Sequence, residues 1–125
     1  ADVIYYCFTP VEGYSSFGTY TGNGSADGPF VYTGFRTRWL LVKSSSSTSP
    51  WTLLDADRSG SLNPANDVIW ADSNSAEVEY SSAYHFDLLS NGFKVRSTTT
   101  DVNTSSHTYV YAAFAEHPFK NARAR

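Results

Sequence analysis

Asp55, Asp57 and Ser59 offer oxygen ligands at alternate positions, with Gly60 next and Leu62 two places further on. That is the spacing of the first half of a calcium loop, where positions one, three and five ligate and a glycine turns the chain at six. The twelfth position, which needs a bidentate carboxylate, is Asn66, and Asp67 comes one place late. Losing that carboxylate removes charge and two ligands. The segment is therefore a weak calcium look-alike or a polar turn, and no metal or other cofactor is expected. His85, His107 and His117 show no close helical pairing of the kind that holds zinc. Asp87, Glu77, Glu79 and Glu116 are carboxylates that a glycosidase would pair as acid and base, but sequence sets no distance between them. There is no nucleophile elbow, phosphate loop or dinucleotide fingerprint. The glycines at 22, 24 and 28 precede a strand and not a helix, so they form no phosphate cradle of the usual kind. Nothing here predicts an enzyme.

Aromatic rings are the better candidates for binding. Tyr14, Phe17, Tyr20, Trp51 and Trp70 are placed to stack on the apolar faces of sugar rings if they are exposed, or to fill a core if they are not. The chain holds nine Tyr, eight Phe and three Trp, more than surface stacking alone would use. A single cysteine, Cys7, excludes an internal disulfide and a cysteine-based zinc site. It lies in an apolar run and is expected to be a buried free thiol.

The elements that position these residues read as strands. Val3–Thr9 is apolar on both faces, as a strand covered on both sides would be. Pro10–Gly13 is a turn, Tyr14–Tyr20 a weaker strand, and Thr21–Pro29 a loop. Phe30–Thr33 is short. Phe35–Lys43 is the best strand, although its arginine-bearing face changes from polar to apolar midway. The serine tract 44–49 reads as an exposed loop tip before a strand at Trp51–Leu54. Short strands are expected at Asp67–Trp70 and Glu77–Tyr80. His85–Leu89 and Phe93–Ser97 make a hairpin, with Asn91 and Gly92 as the central residues of a type I′ turn. Thr98–Ser106 is a polar connection, and Thr108–Ala115 is the last strand, stopped by Pro118. Many short strands between turn signals predict an all-β fold: an antiparallel β-sandwich or jelly roll forming a single domain over residues 1–125.

Composition agrees. Charged residues are 17 % of the chain and aromatic residues 16 %, a mixture suited to strands and poor in helix formers. A net charge of −3 gives no electrostatic reason for a nucleic acid or an anionic membrane as partner. No apolar run is long enough for a membrane span. Ala1 either follows removal of an initiator Met or marks a piece of a longer product.

The two ends look alike. Laying Val3–Thr9 over Tyr109–Ala115 puts Ile4 on Val110, Tyr5 on Tyr111 and Phe8 on Phe114, at an offset of 106 residues. That is the size of a small β domain. Residues 3–9 then read as the closing strand of a preceding tandem unit; the alternative is chance likeness between two aromatic strands. Both strands are expected in the interior, Phe114 included.

Several phrases together match one pattern: Thr21–Gly24, then Asp27–Arg36, then Asp87–Lys94, then Tyr109–Phe119 with Ala122-Arg123. On these the chain resembles the C-terminal repeat domain of tailed-bacteriophage structural proteins of tail-fibre type, over nearly its whole length. The serine tract and the calcium-like segment depart from the pattern, both where loops vary. The resemblance implies a non-enzymatic virion structural protein on the exterior of tail or head. It implies a tail-fibre or adhesin module that binds host surface glycans; the alternative is a capsid decoration (cement) protein on the phage head. An enzymatic tailspike is the remaining class. Expected partners are other virion proteins, further copies in a homo-oligomer, and a host glycan.

Overall fold

Short runs of β-branched and aromatic residues between Gly, Pro, Asn and Ser cannot bury a helical stripe, but they can pair edge to edge. In the computed structural model, which describes residues 1–58, 63–79 and 84–117, they form two antiparallel sheets. The strands are β1 (Ser15–Thr21), β2 (Phe30–Tyr32), β3 (Thr37–Ser44), β4 (Thr52–Asp55), β5 (Asp67–Trp70), β6 (Val78–Glu79), β7 (Phe86–Leu89), β8 (Gly92–Val95) and β9 (Thr108–Ala115). One helical turn, α1 (Thr100–Asn103), lies in the polar connection before β9. A six-stranded sheet runs β1-β9-β3-β4-β5-β6, and a three-stranded sheet runs β2-β8-β7. The fold is an all-β antiparallel sandwich.

The core lies between the sheets. Leu40, Val42, Leu54, Val68, Tyr109 and Ala113 face it from the large sheet, and Val31, Phe86, Leu88, Phe93 and Val95 face it from the small one. Val102 of α1 closes one end. Within it Tyr20 stacks on Tyr109 at 5.1 Å, and Phe93 meets Tyr111 edge-on at 5.3 Å.

The mid-strand change of face on β3 has a structural cause. Thr37 pairs with Ala115 and Trp39 with Phe114, so β3 spends two residues where β9 spends one. The extra residue, Arg38, makes a bulge. Before it Thr37 points inward; after it Leu40, Val42 and Ser44 do. Without the bulge, strict alternation would drive Trp39 and Leu41 into the core and Leu40 and Val42 out of it.

Four expectations are corrected. Residues 3–9 form no strand and are exposed: Tyr5 and Tyr6 each keep 81 % of their surface in solvent, and the Cys7 thiol is exposed and not buried. The segment lies outside the sandwich because β9 already fills the slot between β1 and β3. Phe114 is not interior either. It alternates with the inward Ala113 and so faces the outer side of the large sheet, half-buried. In the β7–β8 hairpin, Leu89 pairs with Gly92, so the two loop residues are Ser90 and Asn91, and neither has positive φ. Gly92 is the first residue of β8, needed there because β2 comes close: a Cβ on it would lie 2.1 Å from the Val31 carbonyl oxygen.

Candidate functional site

A sheet with one face on the core usually turns polar residues to the other side. The large sheet does so only in part. Beside the polar Ser15, Thr19 and Lys43, its outward positions on β1, β3 and β9 carry Phe17, Trp39, Leu41, Val110, Ala112 and Phe114. These residues share a face because β1, β9 and β3 are neighbours in continuous antiparallel register. Phe114 is the hub. Its ring meets Tyr14 at 5.8 Å, Phe17 at 5.8 Å and Trp39 at 5.4 Å, all near-perpendicular. That is the edge-to-face geometry the ring quadrupole favours. Phe8 of the N-terminal segment stacks on Phe17 at 5.4 Å.

Beside this layer runs a groove of about 340 Å³ between Tyr6 and Phe8 on one side and Leu41, Trp51, Val110 and Ala112 on the other. Lys43 is its charged residue, and its ammonium donates to the carbonyls of Ser44 at 2.8 Å and Ser47 at 3.3 Å. The lining is apolar enough to remove side chains from water but offers little directed hydrogen bonding.

Of the rings singled out in the sequence, Tyr14 and Phe17 come together on this face, and Trp51 stands across the groove, 42 % exposed. Tyr20 does not join them. It is buried, and its hydroxyl donates to the Val102 carbonyl at 2.7 Å. Burial, helped by Tyr109 beside it, pushes its pKa well above the ordinary tyrosine value. Trp70 also turns away, half-buried against the core with its ring edge-on to Tyr84 at 6.2 Å. Sequence reasoning missed Tyr6, Phe8, Trp39 and Phe114 as surface residues. The available signal was that Trp39 and Leu41 alternate with Leu40 and Val42, which makes both faces of β3 apolar.

The acidic candidates sit elsewhere; Glu77 and Glu79 are two residues apart, and Glu79, exposed in β6, pairs in register with Asp67 of β5. Asp55 accepts from the Asp57 amide at 2.9 Å, a turn-forming bond, and Asp57 pairs with Arg38. Ser59 lies outside the described residues. Asp87 pairs with Arg96 at 3.0 Å, Glu116 with Arg36 at 3.0 Å, and Glu77 with Arg58. Each of these three carboxylates faces an arginine and not a second carboxylate. Among the described residues, no three His, Cys, Asp or Glu side chains gather as a metal cluster. His85 lines a small hollow of about 190 Å³ with Asp87 and Arg96.

The glycine-rich loop is structural. Asn103 is fully buried beneath it and donates from its amide nitrogen to the Ser97 carbonyl at 2.7 Å and the Ser25 carbonyl at 2.8 Å. Its side-chain oxygen accepts from the Asn23 amide at 2.9 Å. The loop must approach this closely: a Cβ on Gly22 would meet the Thr104 carbonyl oxygen at 2.2 Å, and one on Gly28 the Val95 carbonyl oxygen at 2.4 Å. Where the loop ends, Lys94 bonds to Asp27 at 2.8 Å, and that hydrogen bond, with the lysine charge, lowers the Asp27 pKa. Nothing in the sequence around Asn103 marks it as the residue that organises a loop eighty positions earlier.

A family model described as a domain of unknown function (DUF7483) matches residues 1–118, and the chain belongs to that family. No curated protein and no solved structure matches it.

Proposed function

We propose that this member of the DUF7483 family is a non-enzymatic structural module of a tailed-bacteriophage virion, working by docking through the outer face of its six-stranded sheet. One observation carries the docking: Tyr14, Phe17, Trp39 and Phe114 form a second aromatic layer on the solvent side of a sheet whose other side already holds the core. Aromatic side chains with apolar neighbours and few charges are the composition of interface centres. Burying what they still expose would return roughly 25 cal/mol per Å². The virion setting is supported by the resemblance of the chain, over nearly its whole length, to tail-fibre-type repeat domains. The partners under this reading are other virion proteins and further copies of the chain, on the outside of tail or head.

Within that setting a tail-fibre or adhesin role adds a host surface glycan. Trp51 favours it: the side chain is exposed, and the carboxylate of Asp72 is nearby, accepting from the Trp51 main-chain amide at 3.0 Å. A sugar site joins a stacking ring to polar groups in this way. A head decoration protein would use the aromatic layer alone, against capsid subunits.

Antibodies raised against the soluble chain should label intact particles of the phage whose genome encodes it, in electron micrographs, at one defined structure. Labelling at the tail with loss of host-cell competition in Trp51→Ala selects the adhesin; labelling over the head selects decoration. Particles that carry none of the protein would sink the virion reading.

A further inference from the structure

We propose that residues 3–9 are a donated strand, completing a β-sandwich of this same fold whose slot between β1 and β3 is empty. In this chain β9 fills that slot, paired with β1 from Thr108 to Phe114 and with β3 along the other edge. The N-terminal segment resembles β9 at four of its seven positions. At the offset of 106, Tyr5 falls on Tyr111, Cys7 on Ala113 and Phe8 on Phe114.

The structure shows what each position demands. Ala113 is fully buried, so a small residue is needed there, and Cys7 is small. The Tyr111 hydroxyl lies 3.3 Å from that of Ser16, and Tyr5 keeps a hydroxyl at the same place. Phe114 is held by Tyr14, Phe17 and Trp39, and Phe8 supplies the same ring. Val110 faces outward, where Ile4 fits equally well. Three positions depart: Tyr6 falls on the outward Ala112, Thr9 falls on Ala115, which packs against the core, and Val3 falls on Tyr109, whose hydroxyl donates to the Thr100 carbonyl at 2.7 Å, so the acceptor must fill that space by other means.

The second observation is independent of the likeness. A run with the β-propensity of Val-Ile-Tyr-Tyr-Cys-Phe-Thr is left in solvent, with Ile4 at 78 % exposure and Val3 at 64 %. Such a run invites strand pairing with another chain unless something covers it. The occupant that matches its side-chain pattern is an incomplete sandwich of this family, not a glycan or a lipid surface. Donor-strand addition is a known way for an extended segment to complete a sheet. The inference does not depend on where the protein works.

The test is a fusion protein in which a second copy of residues 11–106, which lacks the ninth strand, precedes the complete chain, so that Ala1 takes the place of His107 and the offset of 106 is kept. Val3→Tyr in the joining segment restores the missing ring. Strand donation predicts that the amides of residues 3–9 become protected from hydrogen exchange and that the upstream copy folds, doubling the β signal. The same fusion with residues 3–9 scrambled should leave the upstream copy unfolded. Unprotected amides at 3–9 beside an unfolded upstream copy would overturn the proposal. A second measurement is deletion of residues 1–9 from the single chain. A donated strand contributes little at home, so Tm should fall by less than about 8 °C. A larger fall would assign the segment to its own sandwich and overturn the proposal equally.

Discussion

Alanine at position 92 sets two physical effects against each other. Gly92 lies in a strand at ordinary negative φ, so backbone entropy alone would make Gly92→Ala stabilising by about 0.5–1 kcal/mol. The new Cβ, however, would stand 2.1 Å from the Val31 carbonyl oxygen and 3.0 Å from its carbonyl carbon. A comfortable carbon–oxygen contact is about 3.3 Å, so β2 must move away by about 1.2 Å. Backbone cannot swing aside as a side-chain tip can. The move pulls at the pairs Phe30–Lys94, Val31–Phe93 and Tyr32–Gly92. It also strains the bonds from the Thr33 and Gly34 amides to the Asn91 carbonyl, at 3.0 Å and 3.2 Å. Losing two such bonds costs about 1 kcal/mol each. Partial exposure of Val31 adds to this, within the roughly 1.5–3 kcal/mol that its full burial represents. Net of the entropy gain, Gly92→Ala should destabilise by about 2–3 kcal/mol, measured as a lower urea midpoint at unchanged slope. Gly24→Ala is the control. Its φ is +70° and the nearest atom to its Cβ is 3.4 Å away, so only backbone strain of about 1–2 kcal/mol applies. If Gly92→Ala is as stable as the parent or more so, close approach of β2 is not what places glycine there.

Asn103→Ala should cost about 2–4 kcal/mol, because it strands the Ser97 and Ser25 carbonyls and the Asn23 amide; limited proteolysis should then cut within residues 22–28 before anything else. Tyr109→Ala, in the core, should cost about 3–5 kcal/mol, whereas Phe114→Ala should cost less than half of that, since its ring packs only within the outer layer; equal losses in chemical denaturation would contradict the assignment of faces. Tyr20 has a folded pKa raised by burial, so its contribution is fully present below the unfolded value of about 10 and is lost as pH rises beyond it; melting temperature should decline above that pH, and Tyr20→Phe should flatten the decline.

Strand identity was legible in the sequence wherever the cause is local. Alternation, β-branching and bounding turn residues placed β5 and β9 at their observed limits and β1, β2 and β4 within a residue or two. The change of character along β3 was visible too, and the bulge at Arg38 is its counterpart in space. What sequence could not decide was which side of a two-sided pattern meets the core. Val3–Thr9 and Tyr109–Ala115 carry related patterns, yet one lies in solvent and the other inside a sheet, between β1 and β3. Only one strand can occupy the slot between β1 and β3, and that competition is not written in either segment. Tyr14 and Tyr20 divide for the same reason: register with β9 turns Tyr20 onto Tyr109, while Tyr14, just before the strand, meets the outward Phe114. Gly92 and Asn103 depend on partners far away in sequence, a carbonyl on β2 and a loop eighty residues earlier. Local sequence determines what a segment becomes. Burial, close approach and the aromatic outer face are properties of pairs of segments, so they exist only once the sheets have formed.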